Sequence, residues 1–194
     1  SINLLSFSLF VFFCIWLNYS SAIGVFGINP EYMEGRWVFF LLGIVAIIEM
    51  GTGVNGQIIG TSIHWRFELW TSLLLTALIL PLSYFLTSTY GIMGPAYANL
   101  ISFSVYNFTR YWFLYRKFNM QPFSLKTLEV ILIASLAYII CYYSFGSITG
   151  LIGMFIRTLS FMILFVAAVY YRKITPDLQP ILNAVSERIK KFRK

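Results

Sequence analysis

The run Trp37–Gly60, WVFFLLGIVAIIEMGTGVNGQIIG, decides how the chain is read. It is long and apolar enough to cross a bilayer as one helix, which takes about 20 residues. Glu49 interrupts it about twelve residues in. At about 1.5 Å per residue that is near the bilayer midplane. An ionisable group at such depth is costly and marks a candidate functional site. Directly after it comes Gly51-Thr52-Gly53-Val54-Asn55-Gly56-Gln57. Three closely spaced glycines predict either tight helix packing or a break that lines a cavity.

The rest of the chain has the same character. Of its 194 residues, 59% are hydrophobic and 11% charged, and the mean hydropathy is +0.77. A soluble globular domain carries about a quarter charged residues, so that class is excluded. The 19% aromatic content suits several interfacial belts. Apolar runs predict helices at about 2–23, 37–60, 67–86, 95–115, 125–145 and 151–171. The expected fold is therefore an all-α membrane protein with a six-helix transmembrane domain over residues 1–171. Pro81 predicts a kink in the third helix, and Pro95 suits the first turn of the fourth.

Residues 172–194 form a separate tail. After Thr175-Pro176-Asp177, apolar Ile181, Leu182, Val185, Ile189 and Phe192 recur at helical spacing opposite basic residues. That pattern predicts a basic amphipathic cytoplasmic tail lying on membrane lipids. At the other terminus, Ser1 leads straight into an apolar run with no charged n-region and no small-residue cleavage site. This does not read as a signal peptide; the expectation is a fragment of a longer chain.

Charge orients the helices. The net charge is +7. With a cytoplasmic N-terminus, cytoplasmic segments hold Arg66, Arg110, Arg116, Lys117, Lys126, Arg172, Lys173 and the basic residues of the tail. Only Arg36 then lies outside, and Arg157 falls within the sixth helix. The Lys/Arg bias thus predicts both termini on the cytoplasmic side. Nucleic-acid binding is not expected, because the basic tail has few aromatics and no recognisable fold around it.

No catalytic constellation is visible: there is no Ser/His/Asp grouping, acidic metal cluster or phosphate-cradling Gly-Lys-Ser/Thr run. No enzyme activity, cofactor or metal is expected. Cys14 and Cys141 sit in apolar runs and read as small buried hydrophobes. His64 has no Cys or acidic cluster beside it, so a zinc site is not expected.

The available chemistry is polar groups on membrane helices. Glu49 reads either as a structural hydrogen-bonding group or as a cavity acid. Arg157, six or seven residues into the sixth helix, snorkels outward, pairs with an acid or lines a cavity. Arg110 is either an inner anchor or a cation that meets an anionic phosphate in a central cavity. Asn55 and Gln57 form one stripe of amides if the second helix continues. Asn99, Ser102, Tyr106 and Arg110 recur at three- and four-residue spacing, so one face of the fourth helix is polar. Such a face should look into a bundle or a wet cavity. The second and fourth helices are the expected cavity walls, and the more uniformly apolar fifth and sixth helices the periphery.

The order of motifs carries a resemblance. Phe26-Gly27-Ile28-Asn29-Pro30-Glu31-Tyr32 precedes a helix ending Asn55-Gly56-Gln57-Ile58-Ile59-Gly60-Thr61-Ser62, with a basic position at Arg66. One helix later comes Tyr90-Gly91-Ile92-Met93-Gly94-Pro95-Ala96-Tyr97-Ala98-Asn99. This resembles the C-terminal half of bacterial polysaccharide-biosynthesis proteins. These are the O-antigen and capsule repeat-unit flippases of the multidrug/oligosaccharidyl-lipid/polysaccharide exporter superfamily. The Tyr-Gly-Ile-x-Gly-x-Ala-x-Ala turn is the most specific element. Pro95 departs from the small residue that many members carry there.

The resemblance implies a MATE-like flippase fold of roughly fourteen helices, of which this chain supplies the last six and lacks the N-terminal lobe. It implies a multi-pass protein of the bacterial inner membrane that moves undecaprenyl-diphosphate-linked oligosaccharide between leaflets. Arg110 and Arg66 are then the expected cations for the diphosphate, and Glu49, Asn55 and Asn99 the polar lining, with Arg157 a further candidate. A cation-coupled multidrug exporter of the same superfamily is the alternative. A membrane-embedded polysaccharide polymerase or acyltransferase is a third reading. It would need a long loop with acid/base residues, and Gly24–Arg36 offers only Glu31, Glu34 and Arg36.

Overall fold

A computed structural model describes residues 2–121 and 123–174. Among the described residues all regular structure is helical. Helix α1 spans Ile2–Val25, α2 Arg36–Thr52, α3 Asn55–Gly60, α4 Trp65–Tyr90, α5 Gly94–Phe118, α6 Leu125–Phe145 and α7 Gly150–Tyr171. Short 3-10 turns at Pro30–Met33 and Gly91–Met93 connect α1 to α2 and α4 to α5. The amphipathic tail expected beyond residue 174 lies outside the described residues.

The expected continuous helix over 37–60 is instead two helices. Its long part stops at Thr52, where Gly53 turns to φ 70° and ψ −137° and its N–H closes on Met50 O at 3.1 Å. Positive φ is accessible to glycine at little steric cost. The α3 turn then restarts from Val54, whose carbonyl accepts the Ile58 N–H at 3.0 Å. Apolar length predicts one span here, but backbone conformation at a single glycine splits it. The expected kink at Pro81 does not end its helix either: α4 runs on through Pro81 to Tyr90.

Four stretches are long and apolar enough to cross a membrane: Ile2–Val25, Trp65–Phe118, Leu125–Phe145 and Gly150–Tyr171. The second of these contains the whole α4–α5 hairpin. Over its described residues the chain is all-helical, and these long apolar stretches make it a membrane-embedded protein.

Two sets of helices pack side by side. In the first, α1, α6 and α7 bury a common apolar core. Leu5, Leu9 and Leu17 of α1 meet Val130, Ala134, Ala137 and Cys141 of α6 and Phe161, Phe165 and Val169 of α7. The Phe10 ring stands 6.0 Å from both the Phe161 and Phe165 rings. This corrects the expectation that the last two helices are peripheral. Their uniform apolarity hid which face packs, because shape rather than polarity selects it: small residues on α6 receive large rings from α7.

In the second set, α5 packs against α4 and α2, with α3 wedged between α4 and α5. Glycines join the sets and close the hairpin. The Phe12 ring of α1 covers Gly43 of α2, where a Cβ would fall on the ring, and Leu5 sits over Gly51. At the α4–α5 turn, Gly91 takes φ 56°. A Cβ on Gly94 would strike the Leu86 and Thr87 backbone, and Ala96 and Ala98 are buried behind it. The Tyr-Gly-Ile-x-Gly-x-Ala-x-Ala pattern therefore has a structural basis: Gly91 supplies the positive φ of the turn, Gly94 lets the two helices approach, and Ala96 and Ala98 are buried behind it.

The helices alternate in direction. At one end, Tyr19, Glu31, Tyr32 and Ile92 line a common hollow. At that end α1 also meets the start of α7, where Arg157 bonds Ser21. At the other end, Thr52 and Asn55 approach Met120 and Gln121, and Arg172 reaches Glu129 at 3.0 Å. This second end carries Arg66, Arg116, Lys117, Lys126, Arg172 and Lys173. The first carries Glu31, Glu34 and Arg36.

Candidate functional site

The polar groups of the second set converge where α3 interrupts the helices. Arg110 lies on α5 two turns before its C-terminus and is buried. Its Nη2 donates to Glu68 Oε1 of α4 at 2.8 Å, and its Nη1 donates to the Tyr106 hydroxyl at 2.5 Å. The guanidinium also lies over the Tyr106 ring, 4.5 Å from its centroid. The Tyr106 hydroxyl in turn donates to Glu68 Oε1 at 3.5 Å. An arginine, a carboxylate and a phenol thus form one cluster across two helices.

Backbone positions this cluster. Residues 102, 106 and 110 fall on one face of α5 and are all buried. Gly56 of α3 comes so close that a Cβ there would land on the Arg110 guanidinium. Breaking the helix at Gly53 is what turns α3 onto this spot. The third glycine of the run thereby gains its role: Gly51 admits Leu5, Gly53 makes the break, and Gly56 admits Arg110.

Beside the ion pair runs a second polar contact. The Thr52 hydroxyl, at the last turn of α2, lies 3.0 Å from Asn107 Oδ1 of α5 and 2.8 Å from Glu49 O. Asn107 Nδ2 donates to Phe103 O at 2.9 Å, which leaves its Oδ1 as acceptor for the threonine. Thr52 also borders two cavities. One, of about 270 Å³, is lined by Val54, Asn55, Ile58, Leu114, Met120 and Gln121. The other, of about 200 Å³, lies against Ser104, Asn107, Phe108, Tyr111 and Phe123. Several buried atoms here have no hydrogen-bond partner among the described residues: Asn55 Nδ2, Glu68 Oε2, Ser102 Oγ and Arg110 Nε. Unmet hydrogen-bonding capacity in a nonaqueous site costs stability.

The residues singled out in the sequence separate accordingly. Arg110 and Asn55 are brought to the same place, Asn55 at the head of α3 and Arg110 against its second residue. Glu49 is exposed and forms no ion pair among the described residues, so it meets neither Arg110 nor Arg157. Arg66 is exposed, 5.7 Å from the Trp65 ring centroid. Asn99 turns its amide back to Pro95 O of its own helix at 2.8 Å. Gln57 is exposed while Asn55 is buried, so the two amides do not share a stripe.

Arg157 belongs to the other helix set. It is buried, with Nη2 donating to Ser21 Oγ of α1 at 2.6 Å and Nε donating to Gly153 O at 3.2 Å. Next to it Asn18 Nδ2 donates to Thr158 Oγ1 at 2.8 Å. These contacts tie α7 to α1 and lie apart from Arg110.

Sequence reasoning missed Glu68. An acid in the first turn of a helix reads as a partner of the helix dipole and attracts no further notice. The available signal was a charge count: one arginine on the polar face of α5 needs one acid on a neighbouring helix. Among the described residues no three His, Cys, Asp or Glu side chains gather as a metal site would require. Protein-family models, curated proteins and solved structures give no match to the chain.

Proposed function

We propose that this chain is the C-terminal part of a lipid-linked oligosaccharide flippase. In this reading six helical passes cross the bacterial inner membrane with both termini cytoplasmic. Arg110 meets the diphosphate of an undecaprenyl-linked repeat unit, and an N-terminal lobe completes the cavity. The observation that carries it is the placement of Arg110: a bidentate-capable cation, buried among apolar helices against Gly56 of the broken helix. A guanidinium fork suits phosphate oxygens better than any other side chain. Broken helices at membrane depth are tolerated where they line a cavity. The resemblance at Tyr90–Asn99 supplies the substrate class, and the steric need for its small residues supports that resemblance. The basic end of the bundle supports its cytoplasmic placement.

Deletion of the gene tests this. Surface polysaccharide should fall and lipid-linked repeat units should accumulate on the cytoplasmic leaflet. Normal polysaccharide in the deletion strain would sink the proposal.

One observation favours a second reading, a cation-coupled multidrug exporter. Glu49 is an exposed carboxylate on a membrane helix in the same helix set. A deletion strain with intact polysaccharide and heightened drug sensitivity would select that alternative.

A further inference from the structure

The Glu68–Arg110 pair is geometrically incomplete, and the way it is incomplete suggests its use. A guanidinium offers fork-shaped edges, each able to hold two oxygens of one anion. On the Nε–Nη2 edge of Arg110 only Nη2 is occupied, by Glu68 Oε1 at 2.8 Å, and Nε has no partner among the described residues. Glu68 Oε2, the oxygen that would complete a bidentate pair, is likewise buried without one among the described residues. The carboxylate therefore holds the edge by one bond where two are available.

We propose that Glu68 is a displaceable counter-ion. It neutralises Arg110 while the site is empty, and it leaves when the phosphate of a lipid-linked ligand takes the Nε–Nη2 edge with two oxygens. This deepens the flippase reading and rests on it, since that reading brings the phosphate to Arg110. Three features support the exchange. First, a permanently unpaired guanidinium inside the bundle would be an uncompensated buried charge, so an empty site needs a resident anion. Second, the Glu68 side chain is 25% exposed against 10% for Arg110, so the glutamate is the less enclosed member of the pair and the one with more room to move. Third, the Tyr106 hydroxyl lies 3.5 Å from Glu68 Oε1 and can hold the released carboxylate.

Among the described residues no other charged group forms an ion pair with Arg110 or Glu68, although the Glu49 carboxylate is near enough to act electrostatically on Tyr106. Arg110 and Tyr106 are the ionisable groups α5 presents, α3 contributes Gly56, and Glu49 of α2 forms no ion pair among the described residues. The exchange breaks no covalent bond and moves no proton. One ionic partner replaces another, so Arg110 is never left bare.

The test uses the intact protein in lipid nanodiscs and a short prenyl-diphosphoryl-N-acetylglucosamine as probe. Glu68→Gln keeps an acceptor but removes the competing charge. It should bind the probe about tenfold more tightly than the wild type. Arg110→Gln should abolish binding, and the double variant should bind no better than Arg110→Gln alone. A second measurement needs no variant. Labelling of Glu68 by a membrane-soluble carbodiimide, read by peptide mass spectrometry with Glu49 as reference, should rise several-fold when the probe is added.

Unchanged or weaker binding by a folded Glu68→Gln protein overturns the counter-ion role. So does probe binding that leaves Glu68 labelling unchanged or protected. Either result leaves the flippase reading standing. Absence of probe binding to every form overturns both. Exchange at Glu68 in a protein whose deletion spares surface polysaccharide upholds the counter-ion and overturns the flippase reading alone.

Discussion

Arg110 Nη2 and Glu68 Oε1 stand 2.8 Å apart although 42 residues separate them in the chain. Both side chains are mostly buried, at 10% and 25% exposure. Breaking a buried pair by removing one partner costs about 3–5 kcal/mol, because the other charge stays behind unpaired. Replacing both with apolar residues of similar volume is often neutral. Glu68→Ala and Arg110→Ala are each expected to lower the melting temperature sharply in detergent. Glu68→Leu with Arg110→Met should recover most of the loss. A double variant whose loss equals the sum of the two single losses would mean that the pair does not couple α4 to α5. By contrast Arg172–Glu129, at 3.0 Å but 56% and 36% exposed, should contribute less than about 1 kcal/mol, so Arg172→Ala should melt like the wild type.

Gly56 and Gly60 share the short helix α3 but not its demands. A Cβ at Gly56 meets the Arg110 guanidinium, whereas at Gly60 nothing lies within 4 Å. The guanidinium can swing aside only by giving up its bonds to Glu68 and Tyr106, so the substitution costs about 1–3 kcal/mol. Gly56→Ala should therefore destabilise the protein, and Gly60→Ala should change stability by no more than about 0.5 kcal/mol. Thermal unfolding of the two purified variants separates them, and equal melting points would refute the close approach of α3 to Arg110.

At the α4–α5 turn, Gly94→Ala puts a methyl group against the Leu86 and Thr87 backbone, which cannot rotate away. The hairpin must open, at about 1–3 kcal/mol. A disulfide trap across the hairpin, formed readily in the parent, should form slowly in this variant. An unchanged trapping rate would show that the turn relaxes without cost.

Ser21 anchors Arg157 through a 2.6 Å bond. A hydrogen bond to a charged group contributes about 1.5–3 kcal/mol, so Ser21→Ala should lower stability by that order. Because this contact ties α1 to α7 and lies apart from Arg110, probe binding should be unaffected. Weaker binding at unchanged stability would return Arg157 to the list of site residues.

The alternation of helices puts Asn29 and Met120 at opposite ends of the bundle. Both native cysteines lie within helices, so an impermeant maleimide reports chiefly on an introduced one. In intact cells Asn29→Cys should react and Met120→Cys should react only after lysis. The reverse pattern would invert the proposed orientation.

Much was decided by the sequence alone. Apolar run length and low charge establish a helical membrane protein, because a bilayer admits only long apolar segments whose backbone bonds are internal. The helix limits at 125–145 were readable from the apolar run alone, and in the structure Ser124 and Thr127 form a capping box at the start of that helix. The polar face of α5 was readable as well, since residues 102, 106 and 110 follow from helical spacing. Tertiary structure decided the rest. Hydropathy is a one-dimensional quantity and cannot tell which apolar face packs, so it placed α6 and α7 at the edge when they hold the core with α1. Nor could it pair Arg110 with Glu68, a contact that exists only once α4 and α5 lie side by side. In the opening stretch the acid drew attention first, yet Glu49 ends exposed while the glycines after it organise the site. A glycine's meaning depends on what approaches it, and only the folded chain brings Leu5 to Gly51 and Arg110 to Gly56.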